Sequence, residues 1–235
     1  MYGTHPPPLV LEDEQVKIRI ESHGESWAYS RVVGEDQVRQ LVSGNPTFSI
    51  HPIEPLQLPK PLARALTIQF EESLSLGPLA KTQVFLTFPI EIGVFIGNQK
   101  QFQLFDAFCL GKPKYSLYGK AGPVGILCRH HQSSLYSEIP TVNPLLLGIL
   151  RLNIHNTTNR WVTLTRVMLG AYGMKLAYNQ NLVGMAATME IIDRDVAEVE
   201  GSDHLFSQDM VAGHETYPFR MLSTQSRKIT MEGPL

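Results

Sequence analysis

The segment ILCRHHQSS, residues 126–134, holds the densest set of reactive side chains in the chain. A thiol, a guanidinium and two imidazoles follow one another from Cys128 to His131. Thiolates and imidazoles are zinc ligands, whereas a guanidinium beside an imidazole suits an anion. Because side chains alternate between the faces of a strand, a strand here would place Cys128 and His130 on one face and Arg129 and His131 on the other.

This alternation argues against a metal site. Zinc needs three or four converging ligands, and no third ligand stands at a recognisable spacing from Cys128 and His130. We therefore predict no metal site and interpret the segment as the end of a buried strand. In that interpretation Cys128 is half-buried, while Arg129 and His131 form an exposed face that makes at most a weak contact with an anion.

Glu91 is the other candidate for a binding residue, because it lies on the less apolar side of an apolar segment. Together, Glu91, Arg129 and His131 would give a polar pocket for a small anion, in a binding protein or an enzyme. A lone carboxylate is not a catalytic mechanism, and the chain has no G-x-S-x-G elbow, phosphate-binding glycine loop or dinucleotide fingerprint. We therefore predict no catalytic residues and no cofactor.

Three further clusters fit ordinary surface structure. Lysines alternate with tyrosines in the glycine-rich stretch 111–123, a composition that can bind single-stranded nucleic acid but is more typical of a solvated turn. Carboxylates crowd residues 190–203 without matching a calcium-binding loop. The glycosylation pattern Asn156-Thr157-Thr158 is interpreted as turn chemistry. We predict no nucleic-acid partner.

Composition predicts a folded protein without a strong electrostatic field. The 235 residues are 43% hydrophobic and 18% charged, and 20 basic against 22 acidic residues leave a net charge of −2. Two cysteines are too few for a disulfide framework. The first residues do not resemble a signal peptide, and no run reaches the roughly 18 apolar residues of a membrane span. We expect a soluble, cytoplasmic protein with no membrane span.

A two-residue period dominates the chain and predicts strands. Between residues 84 and 96 every even position is apolar, which gives one continuous apolar face. Pro89 cannot donate to a ladder, so the segment is predicted to be two strands or one bent edge strand, with residues 101–108 returning beside it. Further strands are predicted at 16–20, 66–70, 125–130 and 228–231, and a hairpin turn at 179–181.

A second hairpin is predicted over residues 149–169, with its loop at 156–160. This register pairs Ile154 with Val162 and Leu152 with Leu164 on an apolar face. Asn153 and Thr163 then lie on the polar face.

Only short segments suggest helices: residues 34–42, and residues 202–210 with Ser202 as a cap. Prolines recur between 46 and 61, which predicts an extended connector rather than a central strand. The fold class is therefore all-β: an antiparallel β-sandwich of two packed β units with at most one or two short helices. The first unit is predicted to cover residues 1–140, including the connector at 46–61, and the second residues 141–235.

Three stretches resemble an uncharacterised archaeal family whose members have about this length: TFPIEIGVFI at 87–96, LYGKAGPVGILCRHHQSSLYSE at 117–138 and LLGILRLNIHNTTNRWVTLTRV at 146–167. In this resemblance Pro89-Ile90-Glu91 and Cys128-Arg129 match the family pattern. The family has no assigned activity and no established catalytic residues, so the resemblance implies none here. Some members are associated with small-conductance mechanosensitive channels, which implies a role as an accessory to a membrane channel.

Two functions are consistent with these observations. The first is a non-enzymatic binding or assembly module that meets a protein partner, or another copy of itself, through a sheet face or edge. The second is the anion-binding protein or enzyme with a pocket around Glu91, Arg129 and His131. A deep pocket holding all three residues would favour the second function, and three separate solvent-facing side chains would favour the first.

Overall fold

The computed structural model of the protein describes all residues except 57–62, 64, 99–100, 119–124, 171–173, 203–205, 215, 217–227 and 233–234. The described residues form nineteen strands in four sheets, which we name A to D.

Each sheet is given by its strands. Sheet A has the order β1-β6-β9-β10 and contains β1 (Gly3–His5), β6 (Thr47–Ile53), β9 (Glu91–Asn98) and β10 (Gln101–Phe108). Sheet B has the order β2-β3-β4-β5 and contains β2 (Leu9–Glu12), β3 (Lys17–His23), β4 (Ser26–Val33) and β5 (Asp36–Ser43). Sheet C has the order β11-β12-β7-β14 and contains β7 (Ala65–Leu76), β11 (Tyr115–Tyr118), β12 (Ile126–Ser133) and β14 (Val162–Gly170). Sheet D has the order β18-β15-β16-β13-β8, with β17 beside β16 and β19 beside β17; it contains β8 (Lys81–Pro89), β13 (Leu147–Asn156), β15 (Ala177–Tyr178), β16 (Val183–Asp193), β17 (Val196–Gly201), β18 (Val211–Ala212) and β19 (Lys228–Glu232).

The all-β prediction is confirmed, and the sheets pack in pairs. Most neighbouring strands are antiparallel, while β7–β12 and β13–β16 are parallel. Sheets A and B enclose one apolar core, which includes Ile18, Tyr29, Phe48 and Val94. Sheets C and D enclose a larger core, with members such as Leu66 in sheet C and Leu152 in sheet D.

The described part of the chain contains no helix, so the two helix predictions are wrong where it covers them. Residues 36–43 form β5, the outer strand of sheet B, and the described portion of 202–210 contains no helix. Leu41 in β5 is exposed and does not pack in the core. Its apolar side chain nevertheless contributes to the helix-like spacing of apolar residues in the sequence. No helix in the described residues has the length and hydropathy needed to cross a membrane.

The alternating segment 84–96 is divided as predicted. It forms β8 and β9, with Ile90 between them, and β10 returns beside β9. Leu86 and Phe88 belong to the core between sheets C and D, whereas Ile92 and Val94 belong to the core between sheets A and B. One stretch of chain therefore links the two cores.

The predicted hairpin over 149–169 is wrong in its pairing, although both strands and both faces are right. Strand β13 pairs with β8 and β16, and β14 pairs with β7, so the two strands lie in different sheets. Leu152 and Leu164 are fully buried, whereas Asn153 and Thr163 are exposed. The loop at 157–161 is a corner between sheets D and C. The turn predicted at 179–181 does connect the antiparallel strands β15 and β16.

The prediction that 46–61 contains no central strand is also wrong. Strand β6 lies inside sheet A, between β1 and β9. Its pairing with β1 ends at Ile50, so Pro52 pairs only with β9 and its missing N–H breaks no bond to β1. Residues 57–61 of this stretch fall outside the described residues. The division of the chain at residue 140 remains a prediction.

Candidate functional site

The polar face of β12 meets the polar face of β8 inside the protein. The Oγ of Thr87 lies 3.0 Å from Nε2 of His131, and the Oγ of Ser133 accepts a 2.8 Å hydrogen bond from the backbone N–H of Thr87. Thr87 also donates its hydroxyl to Ser133 at 3.2 Å. We call these three residues, together with Arg129 on the same face of β12 and Glu91 at the start of β9, the polar seam.

Glu91 and Arg129 are both buried, with 0% and 2% of their surfaces exposed. Both charges act on the thiol of Cys109 at the end of β10: burial and Glu91 raise the pKa of that thiol, while Arg129 opposes the shift. The guanidinium of Arg129 also lies 5.5 Å from the ring centre of Tyr115. The structure therefore brings Glu91 and Arg129 into one interior region, and the expectation that Arg129 is exposed is wrong.

His131 continues this region but does not carry a positive charge at neutral pH. Burial is the main cause that lowers its pKa to about 4, and the electrostatic effects of the nearby basic groups His130, Lys114 and Arg129 add to the shift. Since Thr87 donates its hydroxyl to Ser133, a neutral imidazole that is protonated at Nε2 can donate to the Oγ1 of Thr87. Any attraction of an anion to the seam must therefore come from Arg129, whose Nε and Nη1 have no hydrogen-bond partner in the described residues.

Cys128, on the other face of β12, is more buried than predicted. It is completely buried in the core between sheets C and D, rather than half-buried, and β12 is an inner strand that lies between β11 and β7. In the part of the chain that the structure describes, no group of three His, Cys, Asp or Glu side chains is arranged to hold a metal ion.

A large groove lies where sheet B meets the β15–β16 end of sheet D. Its volume is about 860 Å³, within the range of ligand pockets. The apolar part of its lining consists of Met1, Tyr2, Leu11, Val16, Ile18, Pro144, Leu145, Tyr178 and Val211. The polar part consists of Glu12, Asp13, Asn143, Asn179, Gln180, Asn181 and Asp209.

The side chains that line this groove carry a negative charge. Among the described residues that line it are three carboxylates and four carboxamides, but no Lys, Arg or His side chain. Glu12 is compensated by Lys17 at 2.6 Å, whereas Asp13 and Asp209 accept hydrogen bonds from neutral groups, namely the backbone of Gln15 and the side chains of Asn179 and Ser207. Hydrogen bonds from Ser207 and Asn179 lower the pKa of Asp209, so this carboxylate is ionised at neutral pH. A cationic ligand would therefore be favoured here.

Two sheet edges border the groove. Strand β2 contributes Leu11 and Glu12, and strand β18 contributes Val211. Among the described strands, β2 pairs only with β3 and β18 only with β15, so each leaves one side of its backbone without a strand neighbour. Such edges can accept a further strand.

Sequence reasoning missed the groove, because its lining comes from four distant parts of the chain. The predicted turn at 179–181 is the only part of it that has a local sequence signal. No pattern in the sequence indicates that this turn faces β2 and residues 143–145.

Comparison with known proteins gives a family but no characterised relative. A family model described as a protein of unknown function (DUF432) matches residues 1–232. No curated protein and no solved structure matches the chain.

Proposed function

Since the chain belongs to DUF432, a family of proteins of unknown function, we propose its role from the groove: it is a non-enzymatic binding module that accepts an extended segment of a partner protein between β2 and β18. The observation that carries this proposal is the position of an 860 Å³ groove between two sheet edges.

The outer edges of strands β2 and β18 can bind the backbone of any extended segment. A segment that pairs with β2 or β18 satisfies N–H and C=O groups that have no strand neighbour among the described residues. In β18 both Val211 and Ala212 are exposed, so this edge is accessible. Main-chain pairing gives little sequence preference by itself, so specificity must come from the side chains of the groove.

The side chains that line the groove determine which side chains a bound segment should carry. Leu11 and Leu145 offer apolar contact, while Asp13 and Asp209 attract positive charge. We therefore expect a segment that alternates apolar residues with Lys or Arg. A membrane-channel protein, the partner that the family resemblance implies, is one source of such a segment, and a second copy of this chain is another.

Peptide binding tests this proposal. A fluorescent peptide of alternating Leu and Lys should bind with an anisotropy increase, and the double variant Asp13→Asn/Asp209→Asn should weaken binding about tenfold, since each exposed charge pair contributes up to about 1 kcal/mol. Glu35→Gln, an exposed acidic position outside the groove, is the matched control. No binding by the wild-type chain, or equal loss in the control, would contradict the proposal.

A second function is supported by Arg129. A buried guanidinium with two nitrogens lacking a hydrogen-bond partner in the described residues is suited to a small anion, with His131 and Glu91 as the other polar groups of the seam. Phosphate should then raise the melting temperature more than chloride at equal ionic strength, and Arg129→Met should remove this difference. An identical melting temperature of the wild-type chain in both salts excludes the anion site, whether or not the variant folds.

A further inference from the structure

Two turns project together from one end of sheets C and D. Residues 77–80 connect β7 to β8, and residues 157–161 connect β13 to β14. We call residues 77–81 and 157–161 the apolar tip, because it presents Leu79 and Trp161 with 67% and 72% of their surfaces exposed. Exposed large apolar side chains on two adjoining turns indicate a contact surface.

The tip is held rigidly from within by Asn156. Its side-chain amide donates to the carbonyls of Gly77 and Arg160, each at 2.8 Å, and its Oδ1 accepts from the backbone N–H of Thr158 at 3.0 Å. The backbone N–H of Leu79 donates to the carbonyl of Thr158 at 3.0 Å, which joins the two turns. The exposed side chains are therefore presented on a fixed scaffold.

Leu79 occupies a backbone conformation that a leucine disfavours. Its φ is 56°, and among the described residues no other non-glycine residue has a positive φ. Glycine or asparagine would fit this position better in a merely structural turn. A leucine that is both strained and exposed is explained if its side chain makes a contact outside the chain.

The charges of the tip are basic. Lys81 and Arg160 are exposed, and neither 77–81 nor 157–161 contains Asp or Glu. Beside the tip, the backbone N–H of Thr157 donates to the carbonyl of Ile191, which brings the exposed Ile192 to the same end. In the next turn the exposed carboxylates Asp193 and Asp195 flank Arg194, so the basic residues at this end outnumber these acidic ones.

From this arrangement we propose that the apolar tip binds the surface of an anionic lipid bilayer, with Leu79 and Trp161 in the interfacial region and Lys81 and Arg160 at the headgroups. Tryptophan is favoured at bilayer interfaces, and basic residues beside apolar ones favour anionic lipids. Lipid headgroups can move around the two turns, whereas a protein partner would need a surface that matches them. This site is separate from the groove and does not depend on the proposed function.

Tryptophan fluorescence gives a direct test. The chain has two tryptophans, so Trp27→Phe leaves Trp161 as the reporter. Vesicles of equal parts phosphatidylglycerol and phosphatidylcholine should shift the Trp161 emission to shorter wavelength and carry the protein in flotation. Vesicles of phosphatidylcholine alone should do so much less, and salt should weaken the binding.

Leu79→Asn is the decisive variant, because asparagine accepts a positive φ and should preserve the fold. It should weaken vesicle binding about tenfold, the loss expected for one apolar side chain. Leu41→Asn, on the exposed face of sheet B, is the control and should bind vesicles like the wild-type chain. An unshifted Trp161 emission with anionic vesicles overturns the proposal, and so does equal binding by Leu79→Asn and Leu41→Asn. An emission shift that requires a protein instead of vesicles assigns the tip to a protein partner and also overturns it.

Discussion

The imidazole rings of His51 and His214 lie with their centres 4.0 Å apart, against one face of sheet A. His51 is buried, and its Nε2 is 2.6 Å from the Oγ of Ser49. Burial, followed by the neighbouring His214 and His5, lowers the pKa of His51 to about 4. His214 follows β18 in the chain, so this contact links sheet D to sheet A.

We predict that acid destabilises the protein through this pair. The unfolded chain binds a proton at His51 near pH 6.5, whereas the folded chain does so only near pH 4. Stability contributed by neutral His51 is therefore full above pH 6.5 and is lost as pH falls towards 4, by up to about 1.4 kcal/mol per pH unit. Urea unfolding at pH 7 and pH 5 measures this loss.

His51→Gln should unfold with a smaller difference between the two pH values. His131, whose pKa is lowered to a similar value, should account for part of the remaining difference. If His51→Gln retains the full pH dependence, His51 is charged or solvated in the folded state.

The core between sheets C and D should depend strongly on Leu152. Leu152→Ala removes a fully buried side chain and should lower the free energy of unfolding by about 2–5 kcal/mol. Thr163→Ala changes an exposed position of β14 and should cost well under ~1 kcal/mol. Equal losses in urea unfolding would mean that the strand faces are assigned wrongly.

Asp106 should be essential to the core between sheets A and B. Its Oδ2 accepts hydrogen bonds from Nε of Arg31 and from the hydroxyl of Tyr29, both at 2.7 Å. Asp106→Asn removes the carboxylate from a buried guanidinium and should cost about 3 kcal/mol in unfolding free energy. Asp36 also pairs with Arg31 but is largely exposed, so Asp36→Asn should cost under ~1 kcal/mol. The prediction fails if the two variants are equally stable.

Asn156 should stabilise the apolar tip more than any exposed asparagine of the same strand. Asn156→Ala removes its hydrogen bonds to the carbonyls of Gly77 and Arg160 in a buried position and should cost about 2–4 kcal/mol. Asn153→Ala, at an exposed position of β13, should change stability by less than ~0.5 kcal/mol. Thermal melts of both variants decide the point, and a stable Asn156→Ala would show that the turns hold without this side chain.

Side-chain alternation predicted where strands lie, but not which strands pair. The break at Pro89 and the turn at 179–181 were predictable, because both have local causes in the chain. The strand that pairs with Leu152 could not be predicted. The same alternation of apolar and polar residues is expected whether two consecutive strands form a hairpin or turn a corner into different sheets. Glu91, Arg129 and His131 could be named from the sequence because polar residues stand out in apolar strands, and their binding role stays a prediction. The burial of Arg129 and the contact between Thr87 and Ser133 could not be predicted, because the sequence does not show that β8 meets β12.

Strand β16 separates the two surfaces proposed for binding. The groove lies at its beginning, beside 179–181, and the apolar tip lies at its end, beside Ile191. From Val183, at the groove end, to Ile191, beside the tip, the strand rises through eight residue steps, about 26 Å at the rise of an extended strand. A protein seated on a bilayer by its tip would thus hold the groove at up to about 26 Å from the lipid. A partner anchored in the same membrane would need a tether of about eight extended residues to reach that height.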